Sequence, residues 1–539
     1  RTLMTARWAR RLESMVGRAA SLAAAEALDG YEFLDREFAA LAAVTADQVR
    51  AAAARYLQPD GVAAVLFLPE GEGEALTPEA LAAAFAVSEL RPAAAIPVQV
   101  RPAAAGLAGR APAPRLEAEV WHTALPGADL LVRRKPGVPL VHLGVYLPRL
   151  ELDPPAQAGL GALTVRSAVR GAGELDAAGL AFAFERLGGT LSPSAASDWL
   201  GFGTTVLVEH LVGAAGLLRL VFAAPRLAEA DVGRERGLMV AEAEQVADDM
   251  FRYPFQLAFA AAFGDEGYGL PVAGLPHTLP AITAADARAW HGRALAGVRP
   301  VIIAVGDLDP ARATAELAEV FGALPARAAV EGWPSLDWQA GDRTEPASRI
   351  VTRDKNQAAL AMVFPGVDRR HPDRAAAQVW AAVASGLGGR LFEALRDRRS
   401  LAYTVVASAW LKARAGALVS YIATSPEREE EAREEMLREL ERFTREPVSE
   451  GELRQAISYL AGQAEVSRQS GAAVAGEMLE AWIAGTGLGE LADPAAAYRA
   501  VTAEDVLRVA AASLDPASRV EGVVRGRGPV RPKVAALQA

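Results

Sequence analysis

Histidines are the first place to look for metal or general-base chemistry in this chain. The closest two are 14 residues apart, so no pair has the i, i+4 spacing that presents two imidazoles to zinc from one helix face. The six are His122, His142, His210, His277, His291 and His371. Cysteine is absent, which excludes thiol catalysis, and there is neither a Gly-x-Ser-x-Gly elbow nor a phosphate-binding loop. Residue types and spacings alone therefore offer no persuasive catalytic or zinc centre, and each histidine is more typical of a surface or structural position.

The composition narrows the class of partner. A formal net charge of −10 argues against nucleic acid or an anionic membrane surface as the main partner. No apolar run reaches the roughly 18 residues of a membrane helix, so we expect no membrane span. With 51% apolar and 23% charged residues, the 539-residue chain is predicted to fold into about three or four units. We expect a soluble, bacterial-type protein of the cytoplasm or periplasm, and the composition does not decide between the two.

One pattern of helix cap, amphipathic helix and apolar strand occurs three times. Each copy opens with a capping box, and the pairs are Thr45 with Gln48, Thr283 with Asp286, and Thr502 with Asp505. Strands are predicted to follow at residues 62–67, 301–305 and 520–524. The copies begin 238 (282 − 44) and 219 (501 − 282) residues apart, but only 43 residues precede the first. We therefore expect the first copy to be the tail of a larger unit, and the chain to be the back part of a longer protein.

These copies and the composition shifts between them divide the chain into four segments. Residues 1–68 are predicted to be the tail of an upstream lobe, and residues 69–115, rich in proline and alanine, a linker. Residues 116–330 and 346–525 each mix hairpin-connected strands with helices. That mixture favours an α+β fold over a doubly wound parallel sheet. We expect two similar α/β-sandwich lobes, preceded by a truncated α+β lobe.

Residues 152–173 carry a family resemblance. Gly159 and Gly171 in this segment match the stretch of the insulinase/pitrilysin-type metallopeptidases that holds their inverted zinc motif, His-x-x-Glu-His. Residues 390–403 resemble that family's second-domain signature, with Ser400 where glycine is usual. The resemblance extends over both lobes, which together are similar to one two-domain half of the family.

The zinc motif itself is degenerate. Ala162 and Arg166 stand where the two histidines belong, and Val165 stands where the catalytic glutamate belongs. Glu242 resembles the family's downstream glutamate ligand, but without its histidine partners it is expected to be an ordinary helical carboxylate. The resemblance therefore implies a half that holds no metal, with zinc expected in the other half.

Arg396 and Tyr403 fit a pair that the resemblance implies. In family members with one degenerate half, the two halves close like a clamshell, and the degenerate half supplies an arginine and a tyrosine facing the cleft. A guanidinium and a phenol can donate hydrogen bonds to a peptide carbonyl or its developing oxyanion. The alternative is that Arg396 pairs with a helix carboxylate and that Tyr403 packs at a strand start. The strand after Gly189, whose counterpart in the active half pairs with extended substrate, is at least as readily an ordinary edge strand here.

The sequence therefore predicts the non-catalytic half of a zinc-dependent metallopeptidase, inactive by itself, which helps enclose a peptide substrate. The zinc-bearing half is expected upstream on the same polypeptide or in a partner subunit. Two alternatives stay open. One is a structural assembly subunit of the same fold, and the other is a module that binds peptides without cleaving them.

Overall fold

The computed structural model describes residues 1–58, 61–68, 77–85, 113–329, 332–334, 336, 338, 346–386 and 388–528. The chain divides into two compact units, Arg1–Gln99 and Val100–Ala539. No helix within these described ranges is both long enough and apolar enough to cross a membrane. Most of the predicted linker at 69–115, including its prolines from Pro92 to Pro112, lies outside the described residues.

The first unit is built from helices. They are α1 (Thr2–Glu13), α2 (Met15–Asp29), α3 (Phe33–Ala43), α4 (Ala46–Tyr56) and α5 (Pro78–Phe85). The Ser14 side chain caps α2, and Trp8 of α1 stacks on Phe38 of α3 with 5.1 Å between ring centres. Helix α4 begins at the predicted capping box, where Thr45 and Gln48 bond each other's backbone N–H groups.

The strand predicted at residues 62–67 is wrong. Residues 62–68 adopt no regular secondary structure, and Val65 and Phe67 are each 97% exposed. An apolar run does not make a strand by itself, because ladder hydrogen bonds need a neighbouring strand, and the described residues of this unit contain none. The first copy of the repeat therefore keeps only its capped helix.

The second unit contains two sheets. The strands of the first are β1 (Arg115–Glu117), β2 (Val120–Leu125), β3 (Ala128–Arg134), β4 (Leu140–Pro148), β5 (Ser192–Ala195), β6 (Trp199–Leu207) and β7 (Val301–Gly306). Their order is β1-β2-β3-β7-β4-β6-β5, and only the β3/β7 pair is parallel. The helices of this lobe are α6 (Leu160–Ala168), α7 (Ala177–Glu185), α8 (Leu211–Ala223), α9 (Glu229–Val246), α10 (Arg252–Phe263), α11 (Ala284–Gly297) and α12 (Pro310–Phe321).

The second sheet has five strands. They are β8 (Ala347–Arg353), β9 (Ala358–Gly366), β10 (Thr404–Leu411), β11 (Gly416–Thr424) and β12 (Val520–Gly526). Their order is β10-β11-β9-β12-β8, and only the β12/β8 pair is parallel. The helices are α13 (Arg374–Ala384), α14 (Glu429–Arg445), α15 (Glu450–Ser467), α16 (Gly471–Ala484), α17 (Ala496–Arg499) and α18 (Ala503–Ser513), with a π-helical segment at Phe392–Arg398.

The two lobes repeat one topology. The order β3-β7-β4-β6-β5 of the first sheet recurs as β8-β12-β9-β11-β10 in the second. In each lobe a threonine-capped helix, α11 or α18, leads into the strand that runs parallel to one neighbour and antiparallel to the other. The predicted α+β fold with two similar lobes is confirmed, as is the repeat in its second and third copies.

Each sheet is covered on one face by a helix from the other lobe's segment. Helix α10 packs on β8, β9 and β12 of the second sheet, where Ala258 and Phe263 meet Val363 and Val419. In return, α16 packs on β4 and β7 of the first sheet, where Met478 joins the core around Ile303. Because each core needs a helix from the other lobe, the two lobes form one interlocked body.

Candidate functional site

Helix α6 carries the degenerate motif. The Asp153 carboxylate accepts hydrogen bonds from the backbone N–H groups of Gly159 and Gly161 at 3.1 and 3.2 Å, which satisfies the start of the helix. Gly159 has φ +99, a left-handed conformation that glycine adopts at little cost. Along the helix, Ala162 and Val165 are each only 3% exposed. They contribute apolar side chains and no metal ligand.

Arg166 places a guanidinium where the second histidine of the motif belongs. Its two terminal nitrogens donate to both carboxylate oxygens of Glu242 at 2.6 and 3.0 Å, and its Nε donates to Glu235 at 3.2 Å. Arg170, one turn further on, donates from Nε to the other oxygen of Glu235 at 2.6 Å. The hydrogen bond between Arg166 and Glu242 raises the pKa of the arginine and lowers the pKa of the carboxyl group. Two arginines and two glutamates thus form a closed ion-pair network.

This network does not fit a zinc ion. Ala162 and Val165 have no donor atom, and both oxygens of Glu242 are taken by Arg166. A fixed cation at Arg166 would also repel a metal ion at the same carboxylate. Across the described ranges, no three histidine, aspartate or glutamate side chains come together as a metal cluster.

A cavity of about 670 Å³ opens beside the network, between α6, α7, α9 and the edge strand β5. Its lining is mostly apolar, including Ala162, Val165 and Leu180, with Arg166 and Arg170 at one side. The degenerate motif therefore faces a space large enough for a side chain or a short peptide segment.

Pro193 interrupts the free edge of β5. The N–H of Ala196 donates to the Trp199 carbonyl at 2.8 Å, and the register pairs Ser194 with Gly201. Backbone groups alternate in direction along a strand, so Pro193 and Ala195 point away from β6. Proline has no N–H, and the middle of this short edge therefore cannot donate to an added strand.

Arg396 and Tyr403 lie in contact. The guanidinium carbon of Arg396 is 5.0 Å from the centre of the Tyr403 ring and 4.4 Å from that of Phe392. Arg396 belongs to the π-helical segment, a geometry that often marks functional positions. Ser400, which has φ +51, turns the chain back between the two, and its N–H donates to the Arg396 carbonyl at 2.9 Å.

The polar groups of this pair are available to a ligand. No carboxylate pairs with Arg396 in the part of the chain that the structure describes, whereas its neighbours Arg398 and Arg399 pair with Glu393 and Glu435. Tyr403 is 80% exposed. Contact with the two rings restrains the guanidinium without using its hydrogen-bond donors.

Sequence reasoning missed the arginine and glutamate network. The spacing of these residues in the sequence is compatible with such a network. Arg166 and Arg170 are four residues apart on α6, and Glu235 and Glu242 are seven apart on α9. Both spacings return a side chain to the same helix face. The family resemblance places Glu242 beside the motif, but it gave no sign that Glu235 and Arg170 join the same network.

The histidines of the described core have structural partners. His122 contacts Asp129 at 3.0 Å, and His291 contacts the Phe222 carbonyl at 2.8 Å. His142 lies between Thr205 and Tyr146, and burial lowers its pKa to about 4, so it is neutral near pH 7. These contacts agree with structural positions.

Comparison with known proteins matches this architecture to one family. Residues 281–460 match the family model described as the peptidase M16 inactive domain. A crystal structure of a peptidase M16 inactive domain from Pseudomonas fluorescens superposes with a TM-score of 0.68 at 22% identity, covering 76% of this chain and 98% of that one. That likeness concerns the fold.

Curated relatives carry the name zinc protease. An uncharacterized zinc protease of Mycobacterium tuberculosis is 30% identical over 291 residues, which are 52% of this chain and 65% of the relative. Another, from Mycobacterium leprae, is 28% identical over 353 residues, 64% of this chain and 78% of the relative. The chain thus spans 65% of the length of the Mycobacterium tuberculosis protein. Together with the degenerate motif, these matches show that the chain carries a peptidase M16 inactive domain and is similar to the insulinase/pitrilysin-type metallopeptidases.

Proposed function

We propose that this chain is the non-catalytic half of a zinc-dependent peptidase and that it presents Arg396 and Tyr403 to the backbone of a peptide substrate. Zinc would be held by another half, either on the same polypeptide or in a partner subunit. The observation that carries the proposal is the Arg396 guanidinium, which contacts the rings of Phe392 and Tyr403 and has no carboxylate partner among the described residues.

The chemistry of the pair suits a peptide carbonyl. A guanidinium and a phenol both donate hydrogen bonds, and a carbonyl oxygen gains negative charge as water attacks its carbon. Donors that are already oriented stabilise that charge without reorganising at the moment of reaction. The ion-pair network at Arg166 and Glu242 supports the complementary part of the proposal, that the metal comes from elsewhere.

The proposal is tested by producing this chain together with its zinc-bearing half and following hydrolysis of a quenched fluorescent peptide. We expect Arg396→Ala to lower kcat/KM at least tenfold and Tyr403→Phe to lower it severalfold, because each removes a donor to the developing oxyanion. Arg398→Ala is the matched control, since Arg398 lies on the same π-helical segment but pairs with Glu393. It should leave kcat/KM within twofold of the wild type.

Assembly of the two halves must be checked for every variant by size-exclusion chromatography. If Arg396→Ala and Tyr403→Phe assemble normally and hydrolyse the peptide at the wild-type rate, the pair does not act on substrate. A structural role in assembly would then describe this half better.

A further inference from the structure

Ser400 adopts a backbone conformation that its side chain disfavours. Its φ of +51 lies in the left-handed region, where the Cβ atom of an L-residue crowds the following carbonyl oxygen and where glycine has no such cost. The residue lies in the turn at residues 399–402, which joins the π-helical segment of Arg396 to Tyr403, just before β10. A strained residue persists only where its surroundings hold it, so the contacts of this turn determine where Tyr403 lies.

Backbone hydrogen bonds attach the N–H groups of this turn to the π-helical segment. The Ser400 N–H donates to the Arg396 carbonyl at 2.9 Å, and the Leu401 N–H donates to the Leu395 carbonyl at 2.8 Å. The side chains of Leu395 and Leu401 are both buried in the core of the second lobe. These bonds hold one side of the turn, and its carbonyl groups need donors from elsewhere.

Three successive carbonyl groups of the turn accept hydrogen bonds from side chains. Arg428 donates from one terminal nitrogen to the Ser400 carbonyl at 3.0 Å and from the other to the Arg399 carbonyl at 3.3 Å. The Thr424 hydroxyl donates to the Leu401 carbonyl at 2.7 Å. Thr424 ends β11, and Arg428 follows in the next helical turn. Both donors are therefore positioned by the strand that pairs with β10.

Glu431 orients the Arg428 guanidinium. The Nε atom of Arg428 and one of its terminal nitrogens donate to the two carboxylate oxygens of Glu431 at 2.9 and 3.1 Å. Because the guanidinium is planar, a carboxylate bound along one edge fixes the direction of the remaining donors. The Arg428 side chain is 37% exposed, and an exposed ion pair contributes little to the stability of a fold. Loss of Arg428 should therefore affect the turn more than the folded state as a whole.

We propose that Arg428 is a positioning residue that keeps Tyr403 beside Arg396. It does so through the carbonyl groups of Arg399 and Ser400, which it holds in the conformation that the turn requires. Ser400 makes this hold necessary, because a glycine there would adopt the same φ without support. The effect on hydrolysis rests on the proposed function, but the contact between Arg396 and Tyr403 can be measured without any substrate.

The first test follows the fluorine NMR signal of this chain carrying 3-fluorotyrosine at position 403. A guanidinium over the ring changes the field at the fluorine, so Arg396→Ala gives the chemical shift of a ring without its cation. We expect Arg428→Met to move the signal at least halfway towards that shift, because the turn loses two donors to its carbonyl groups. An unchanged signal in Arg428→Met overturns the proposal. If Arg428→Met does not fold, Arg428→Gln, which is too short to reach both carbonyl groups, is judged by the same signal.

Arg442→Met is the matched control for this measurement. Arg442 lies on α14 with a side chain 43% exposed, and among the described residues it donates to the carboxylates of Glu439 and Glu446. It makes no contact with the turn at residues 399–402 within the described ranges. The fluorine signal of Arg442→Met should coincide with that of the wild type, and an equal shift in both variants contradicts a specific role of Arg428.

A second substitution tests whether the backbone conformation of Ser400 is what Arg428 maintains. Glycine adopts a positive φ at little cost, so in Ser400→Gly the turn should depend less on Arg428. We expect the double variant Ser400→Gly and Arg428→Met to recover at least half of the shift lost in Arg428→Met alone. Absence of any recovery in the double variant contradicts the proposed link between Arg428 and this turn.

Hydrolysis by this chain together with its zinc-bearing half connects the positioning role to the proposed function. Arg428→Met should lower kcat at least threefold and leave KM within twofold, because it misplaces donors to the developing oxyanion. Full activity of Arg428→Met in an assay where Arg396→Ala is impaired overturns the proposal. If Arg396→Ala is fully active while Arg428→Met still shifts the fluorine signal, the proposed function fails and the positioning of Tyr403 by Arg428 stands.

Discussion

At the scale of single residues, position 166 determines what the degenerate motif can do. An arginine there satisfies Glu242 with two hydrogen bonds and shares Glu235 with Arg170. A side chain without charge at this position would leave Glu242 free for a cation. A metal ion at this site is therefore opposed by the charge of Arg166 as well as by the lack of donor atoms on Ala162 and Val165.

This view predicts how zinc binding can be changed. The wild-type chain should not bind zinc in a one-to-one ratio at this site, whereas the double variant Ala162→His and Arg166→His should bind one zinc with micromolar or tighter affinity. The two imidazoles would stand at i, i+4 on α6, and Glu242 would become available as the third ligand. Competition with a chromophoric chelator measures the affinity.

The control for this experiment adds Glu242→Gln to the double variant. We expect the added substitution to weaken zinc binding at least tenfold, because it removes the charged ligand. A tight one-to-one titration of the wild-type chain, abolished by Glu242→Ala, would contradict the assignment.

At the scale of elements, one carboxylate at the start of α15 both caps the helix and forms an ion pair. Glu452 accepts the Ser449 N–H at 2.8 Å, completing a capping box, and also accepts two hydrogen bonds from Arg390. The hydrogen bond from Arg390 contributes most to lowering the pKa of Glu452, from an ordinary 4.5 to about 2. Helix α15 is thereby tied to the turn that precedes the π-helical segment.

The lowered pKa of Glu452 predicts a pH dependence of stability. Because the folded state favours the ionised form, the stabilisation is complete above pH 4.5 and is lost as the pH falls from 4.5 towards 2. Solvent screening limits it to about 1 kcal/mol. We expect Glu452→Gln to lower the free energy of unfolding by that amount at pH 7, and the difference from wild type to vanish near pH 2.

Urea unfolding at several pH values measures this difference. Glu450→Gln serves as the control, because Glu450 lies on the same first turn, has a side chain that is 80% exposed, and among the described residues pairs only with the exposed Arg454. A Glu450 variant with the same pH-dependent loss would show that the effect is not specific to the bond with Arg390.

The elements also show what the sequence could predict. The capping boxes that begin at Thr45, Thr283 and Thr502 were predictable because they depend only on side chains three residues apart. The absence of a strand at 62–67 was not predictable, because a local apolar pattern does not show whether a partner strand lies beside it. The proximity of Arg396 and Tyr403 could be anticipated from their spacing and the family resemblance, whereas the contact of Arg396 with the ring of Phe392 could not.

At the scale of the whole molecule, the two lobes share buried polar contacts as well as exchanged helices. The Tyr268 hydroxyl and the Ala413 N–H both donate to Asp198, the latter at 3.0 Å, and Arg414 donates to the Arg149 carbonyl at 2.6 Å. Burial raises the pKa of Tyr268, so its hydroxyl stays protonated and remains a donor. The bonds made by Ala413 and Arg414 join the turn between β10 and β11 to the first lobe, and separating the lobes would break both of them. The bond between Tyr268 and Asp198 lies within the first lobe and orients the carboxylate that accepts from Ala413.

One feature of the sequence indicates that a helix of one lobe packs on the sheet of the other. An isolated glycine in an apolar strand often marks the close approach of another backbone, and Gly522 is such a residue in β12. The helix that approaches it, α10, is more than 250 residues away along the chain, and no local pattern identifies so distant a partner.

Gly522 therefore provides a test of the interlocked architecture. A Cβ atom at this position would lie 1.8 Å from the Pro254 carbonyl oxygen and 2.5 Å from the Ala258 nitrogen, both in the backbone of α10. Neither atom can move without shifting the helix, so Gly522→Ala should lower the free energy of unfolding by about 3 kcal/mol. It should also increase binding of a hydrophobic dye, because α10 covers Ala361 and Val419 on the second sheet.

Gly462→Ala, at a helical position with no neighbouring atom within 4 Å, is the control and should change stability by less than about 1 kcal/mol. Equal stability of the two variants would mean that α10 is not held against β12, and the two lobes would then have to be stable without the exchanged helix.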